Sequence, residues 1–139
     1  ILLRTRLERL LIAGELEVSD LPGAWAEGMR DDLGIVPPDD RDGCLQDIHW
    51  VEGIFGYFPT YTLGAVTAAQ LFQAARRAVP ELETALGEGD FRPLLGWLGK
   101  NVHAHASSLD ARALVTCATG RPLDADDFET HLRARYLAD

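Results

Sequence analysis

The chain has 139 residues, 47% of them hydrophobic and 25% charged, with a formal net charge of −9. That length and balance suit one soluble domain with its own core, and the acidity argues against nucleic acid or an anionic membrane as a partner, since both reward clustered positive charge. Two cysteines, Cys44 and Cys117, are too few for a disulfide framework and are expected to be reduced. No apolar run approaches the roughly 20 residues of a membrane span and no charged-then-apolar leader opens the chain, so the expected location is cytoplasmic.

From Leu3, apolar residues recur at Leu7, Leu10, Leu11 and Leu16, with Arg4, Arg6, Glu8 and Arg9 between them: an amphipathic helix fraying at Gly14. Arg4 and Glu8 stand four apart and can pair, a contact worth about 0.3 kcal/mol. The arginines otherwise read as a solvated face, in preference to a role in binding a substrate carboxylate. Ser19 and Asp20 are N-cap candidates for a second helix with Pro22 in its first turn, a stripe of Leu21, Ala24, Trp25, Met29 and Leu33, and Gly34 as its stop. Pro37 and Pro38 then forbid regular helix, and residues 39–43 have the turn formers of an exposed loop. The carboxylates in that loop read as solvated or turn-capping, because they lack the regular ligand spacing of a cation loop.

A turn near Gln46, a short irregular or helical piece and a break at Pro59 are expected next. The helix after Pro59 carries Leu63, Val66, Ala69, Leu71, Phe72, Ala75 and Val79, has few charges before Arg76 and Arg77, and is expected to be the most buried. Gly64, Ala65, Ala68 and Ala69 leave room on it for a close helix approach. A short acidic helix over 81–86 stops at Gly87 and Gly89. Asp90 caps the next, with Phe91, Leu94, Leu95, Trp97, Leu98 and Val102 apolar, running to about His105. Asp110 caps a helix over 111–119 that Gly120 ends, and Asp124 caps a last one carrying Phe128, Leu132, Tyr136 and Leu137. With no internal repeat and no convincing strand, the fold class is all-α.

Residues 43–64, GCLQDIHWVEGIFGYFPTYTLG, stand apart from these patterns. They concentrate ring donors (His49, Trp50), an amide and a carboxylate (Gln46, Asp47) and two tyrosines among four glycines. Each such polar group needs a partner if buried, so a core gains nothing from them. The density is that of a site.

Gly43, Gln46, Asp47, His49 and Trp50 spell GxxQDxHW, and GYFPTYTLG follows from Gly56 to Gly64. Together these resemble the carboxypeptidase Taq family of zinc-dependent carboxypeptidases. RTRLERLLIAGELEVSDLPGAW before them and GDFRPLLGWL after them resemble the same family in the same order, so the likeness covers essentially the whole chain. Val51 and Glu52 depart from the small Ser-Ala pair associated with the positions after His-Trp.

The resemblance implies a multi-helix C-terminal lobe of a larger, mainly helical metallopeptidase, with residues 1–139 as that portion and 43–64 as its substrate-site segment. The family's zinc site comes from an HExxH helix with a further glutamate downstream, and this sequence contains no HExxH. Its four histidines, His49, His103, His105 and His131, include no pair spaced four apart. His103 and His105 lie roughly 200° apart around a helix and read as C-terminal residues favoured by its dipole. The catalytic metal, zinc or another divalent ion, is therefore expected outside this chain, which binds none. The chain opens at Ile1 within a helical pattern, and truncation is the simplest explanation.

In such an enzyme His49 is the catalytic candidate, an imidazole whose N–H can face a developing oxyanion or bind substrate. Asp47 could hold that imidazole in one tautomer or orient a different group. Tyr57 and Tyr61 are candidates to donate to the substrate's terminal carboxylate or scissile carbonyl, Gln46 would bind substrate backbone or brace the loop, and Trp50 packs beneath it. The implied partners are a peptide substrate and the rest of the same enzyme, and a homodimer is an allowed assembly. The fragment alone is expected to be inactive. The Gln-Asp-x-His-Trp run could equally be a buried network that only braces the loop, and the rival reading from another class is a noncatalytic acidic helical interaction module whose apolar faces serve a partner.

Overall fold

In the computed structural model, which describes residues 1–137, the leucine spacing at the start of the chain gives helix α1 (Leu2–Ala13) with Leu3 and Leu7 buried. Gly14 ends it in the left-handed region at φ 69°, a conformation open to glycine because it has no Cβ, and its N–H donates back to Leu10 and Leu11. A 3₁₀ turn (Val18–Asp20) leads into α2 (Leu21–Leu33), where Asp20 holds the N-cap position without a capping side-chain bond, and Gly34 closes it at φ 71°.

The two helices pack where Gly28 faces α1: a Cβ there would sit 2.3 Å from Leu3 Cδ1 and 2.9 Å from Arg6 Nη2. Leu3, Leu7, Leu21, Trp25 and Cys44 form the core, with Leu11, Leu16, Ala24, Met29 and Trp50 against it. Each fully buried leucine of this kind contributes about 2 kcal/mol of hydrophobic stabilisation. Leu33, placed on the apolar stripe by spacing, is exposed instead, since α2 ends there.

Helix α3 (Phe58–Ala78) begins one residue before Pro59, so the proline opens the helix, where its missing N–H costs nothing, and does not precede it. The chain divides into two compact units within this helix, Ile1–Thr62 and Leu63–Asp139.

In the second unit, α3 buries Val66, Gln70, Ala74 and Ala75, but Leu63 is exposed. A Cβ on Gly64 would meet nothing within 4 Å, so Gly64 receives no close helix approach among the described residues. Helix α4 (Leu82–Gly87) buries Leu82, and Arg76 pairs with Glu83 at 2.6 Å to tie α3 to it.

Helix α5 (Arg92–Asn101) stops earlier than its apolar pattern suggests. Val102 leaves helical geometry at φ −122° and a 3₁₀ turn (His103–His105) follows. Asp110 caps α6 (Ala111–Thr119) by accepting from the Ala113 N–H at 2.8 Å, and Gly120 ends it at φ 81°. Asp124 accepts from the Asp126 N–H at the start of α7 (Asp126–Tyr136), on which Leu132, Tyr136 and the following Leu137 are exposed.

The polar centre of this unit is Gln70, whose side chain is fully buried. Its Nε2 donates to Thr119 Oγ1 and to the Arg121 and Pro122 carbonyls at 2.9, 3.3 and 3.1 Å. Its Oε1 accepts from the Asp124 N–H at 3.1 Å. All of its hydrogen-bonding atoms are used, which is what makes burial of an amide tolerable. Among the described residues there is no strand, and no helix is long and apolar enough to cross a membrane.

Candidate functional site

The loop that carries the site is shaped by short local bonds. Asp39 Oδ1 accepts from the Asp42 N–H at 2.9 Å, the turn-capping role expected of that acidic run. Gly43 then passes so close to its surroundings that a Cβ would lie 3.0 Å from the Asp39 carbonyl and 3.5 Å from the Trp25 ring. Beside it, burial pushes the Cys44 thiol above its ordinary range, and the negative charge of Asp40 adds to the effect. Gln46 Nε2 donates to the Gly43 carbonyl at 3.1 Å and toward that of Asp42 at 3.4 Å, so its amide braces its own loop.

Further on, Ile54 N–H donates to the His49 carbonyl at 2.7 Å, with Gly53 and Gly56 at φ 70° and 77°. These two positive-φ glycines fold residues 50–56 back so that the His49 ring meets the start of α3.

There His49 Nε2 and the Tyr61 hydroxyl are 3.0 Å apart. The imidazole lies 4.5 Å from the Phe58 ring, 5.5 Å from that of Tyr57 and 5.9 Å from that of Tyr61, centroid to centroid. The two tyrosine rings meet edge-on at 5.4 Å, with Tyr57 45% and Tyr61 48% exposed. One helical turn separates Phe58 from Tyr61, and the proline start of α3 sets that turn beside the loop. Three residues singled out from the sequence, His49, Tyr57 and Tyr61, thus share one surface, with buried Phe58 as its floor.

Asp47 turns away from the imidazole. Its Oδ2 accepts from Arg4 Nε at 2.5 Å, and the Arg4 guanidinium lies 4.8 Å from the Trp25 ring centroid. This overturns the expected Arg4–Glu8 pair and the solvated reading of Arg4, whose side chain is 19% exposed. Glu8 is itself buried, with Oε1 accepting from the Gly56 N–H. Trp50 packs against Trp25 edge-on at 6.4 Å and against Phe58 at 5.8 Å, as its expected place beneath the loop requires.

Arg4 and Glu8 are the residues that sequence reasoning missed. The only signal was that both sit on the helix of the buried Leu3 and Leu7, each directly following one of those leucines in sequence. Four buried polar atoms have no hydrogen-bond partner among the described residues: His49 Nδ1, Trp50 Nε1, Trp25 Nε1 and Glu8 Oε2.

The described residues do not fit a catalytic metal: no group of three or more His, Cys, Asp or Glu side chains converges among them. His49 is committed to Tyr61, and His105 Nε2 lies 3.9 Å from Cys117 Sγ with no third ligand type beside them.

Residues 1–136 match the family model described as carboxypeptidase Taq (M32) metallopeptidase. The chain is 47% identical over 138 residues to thermostable carboxypeptidase 1 of Thermus thermophilus, covering 99% of this chain and 27% of that protein. Against carboxypeptidase 1 of Bacillus subtilis the identity is 38%, over 98% of this chain and 27% of the relative. Among solved structures, Trypanosoma cruzi metallocarboxypeptidase 1 superposes with a TM-score of 0.92 at 40% identity, over 98% of this chain and 29% of that one. The M32 carboxypeptidase of Deinococcus radiodurans gives 0.91 at 42%, over 96% and 27%. The chain spans less than a third of the length of these relatives, and it belongs to the carboxypeptidase Taq (M32) metallopeptidase family.

Proposed function

We propose that these 139 residues are the C-terminal helical portion of a zinc-dependent metallocarboxypeptidase that hydrolyses the C-terminal peptide bond of peptides. The lobe supplies the substrate and oxyanion side of the site through its 43–64 segment and is inactive alone. The metal, zinc or another divalent ion, is held by residues elsewhere in the full-length enzyme, where it supplies the Lewis acid and the activated water. The partners are the peptide and the rest of that enzyme, and the setting is cytoplasmic.

The observation that carries this reading is the 3.0 Å approach of His49 Nε2 to the Tyr61 hydroxyl at a half-exposed tyrosine pair. Releasing a C-terminal residue calls for neutral or positive donors aimed at a developing oxyanion and at a free carboxylate. His49 Nδ1 is buried without a partner, and a proton there would be an orphaned donor in the interior. The proton therefore belongs on Nε2, which donates to Tyr61 Oη. The Tyr61 O–H is then free to donate outward to a substrate oxygen. Tyr57 is a second hydroxyl on the same face, for the other substrate group. Asp47 and Gln46 hold the loop in register beneath them, through Arg4 and the Gly43 carbonyl respectively.

The test is turnover of a C-terminal peptide bond by the full-length protein, wild type beside His49→Ala, with zinc content determined on both and the 139-residue chain as control. Loss of turnover with zinc retained, and no turnover or metal on the isolated chain, is the expected result. Unchanged turnover would make the motif a structural brace and withdraw the site assignments.

A further inference from the structure

Beside α1 runs an open groove of about 990 Å³ whose apolar walls are Leu2, Leu10, Ile12, Phe55 and Pro59, with Arg6 and Arg9 also lining it. Glu8 borders it. This carboxylate is only 5% exposed; its Oε1 is occupied by the Gly56 N–H and its Oε2 has no partner among the described residues. A buried carboxylate with one unpaired oxygen is unfavourable unless a donor reaches it, and with Oε1 already held by Gly56 the demand falls on Oε2. Leu2 and Ile12, on the same groove, are 81% and 68% exposed, so its walls are as unsatisfied as its carboxylate.

What could fill it is bounded by the comparisons: these helices superpose at TM-scores of 0.91 and 0.92 on chains of which they make up only 27% and 29%. We propose that the groove seats a mainly apolar segment from the rest of the full-length enzyme, bearing one N–H donor that closes on Glu8 Oε2. The proposal rests on the reading that the lobe belongs to a longer metallocarboxypeptidase. Because Gly56 N–H binds the other oxygen of the same carboxylate, the docked segment would also steady the turn that carries His49 toward Tyr61.

The experiment uses full-length protein in a Cys117→Ser background, with a cysteine introduced at Ile12 in the groove or at Val18, which is 76% exposed and not among the groove residues. N-ethylmaleimide labelling is expected to be about ten-fold slower for Ile12→Cys than for Val18→Cys, since protection scales with the free energy of opening. Adding Glu8→Gln, which sets an amide N–H against the incoming donor, is expected to return the Ile12→Cys rate to that of Val18→Cys.

Equal rates without Glu8→Gln overturn the proposal. So does protection that disappears on dilution, which would make a second copy the occupant, and so does protection indifferent to Glu8→Gln. Zinc content and turnover of the same preparations separate the two readings. An active, zinc-loaded enzyme with a freely labelled groove sinks the docking alone, and a protected groove in a protein without zinc or turnover sinks the catalytic reading alone.

Discussion

Arg4 and Asp47, 43 positions apart, meet at 2.5 Å and join α1 to the loop that carries His49 two residues later. The guanidinium also covers the Trp25 ring at 4.8 Å and reaches within 5.8 Å of that of Phe58. One side chain therefore braces the loop, the core tryptophan and the floor of the tyrosine pair at once. Removing either partner leaves a partly buried charge unmatched, and Arg4→Ala also strips packing from Trp25. Arg4→Ala is expected to lower the stability of the full-length protein by about 2–3 kcal/mol and Asp47→Ala by about 1–2. A double-mutant cycle read by denaturant unfolding should give a coupling of about 1 kcal/mol or more, and additive losses would mean the pair is only a proximity.

The His49–Tyr61 contact predicts a non-additive pair. Tyr61→Phe keeps the ring against His49 and removes only the hydroxyl, so kcat/KM for a C-terminal peptide bond is expected to fall about 10²- to 10³-fold. Zinc content should not change. If His49 acts through Tyr61, the double variant with His49→Ala is no more than about ten-fold worse than Tyr61→Phe alone. Multiplying losses would give the imidazole its own contact with substrate.

Gln70 predicts a purely structural loss in the second unit. Gln70→Ala strands the Pro122 carbonyl and the Asp124 N–H in the interior, at a cost of about 3 kcal/mol, while the Thr119 hydroxyl keeps its bonds to the Val115 and Arg121 carbonyls. Gln70→Glu is expected to fail as well, because a carboxylate has no N–H to give the Arg121 and Pro122 carbonyls. Amide exchange at Asp124 should quicken in both variants, while His49-dependent turnover per folded molecule stays at the wild-type level.

At the start of α5, side-chain hydrogen bonds from Arg92, and then its main-chain N–H, hold the Asp90 carboxyl down to about 2 from its ordinary 3.8. A carboxyl with a lowered folded-state pKa stabilises above the unfolded value and loses that contribution as pH falls through the folded one. The window for Asp90 is thus from 3.8 down to about 2. Carboxyl NMR should give a midpoint near the lower value, moving most of the way back in Arg92→Gln, and an unmoved midpoint would remove the pair as its cause.

Part of the candidate site was legible as residue types alone. GxxQDxHW and GYFPTY marked His49, Tyr57 and Tyr61 because those donors in so apolar a stretch have no packing rationale, and all three share one surface. Asp47 and Gln46 were equally conspicuous, yet both turn to brace the loop. Their chemistry left either use open, and in this chain the two side chains bond to α1 and within the loop.

The sequence by itself determined several helix ends, though not the end of α5 or the start of α3. Gly14, Gly34 and Gly120 in left-handed geometry and Asp110 as a cap are energetics of a few neighbouring residues, so they need no knowledge of the rest of the fold. Only the tertiary structure decided that Arg4 leaves Glu8 for Asp47, that Glu8 is buried against Gly56 48 positions on, and that Gln70 clasps a loop some 50 residues away. The helical neighbour offers a charged side chain about 0.3 kcal/mol in water. A partner inside the fold offers several times that at low dielectric, and which partner arrives depends on how the helices meet.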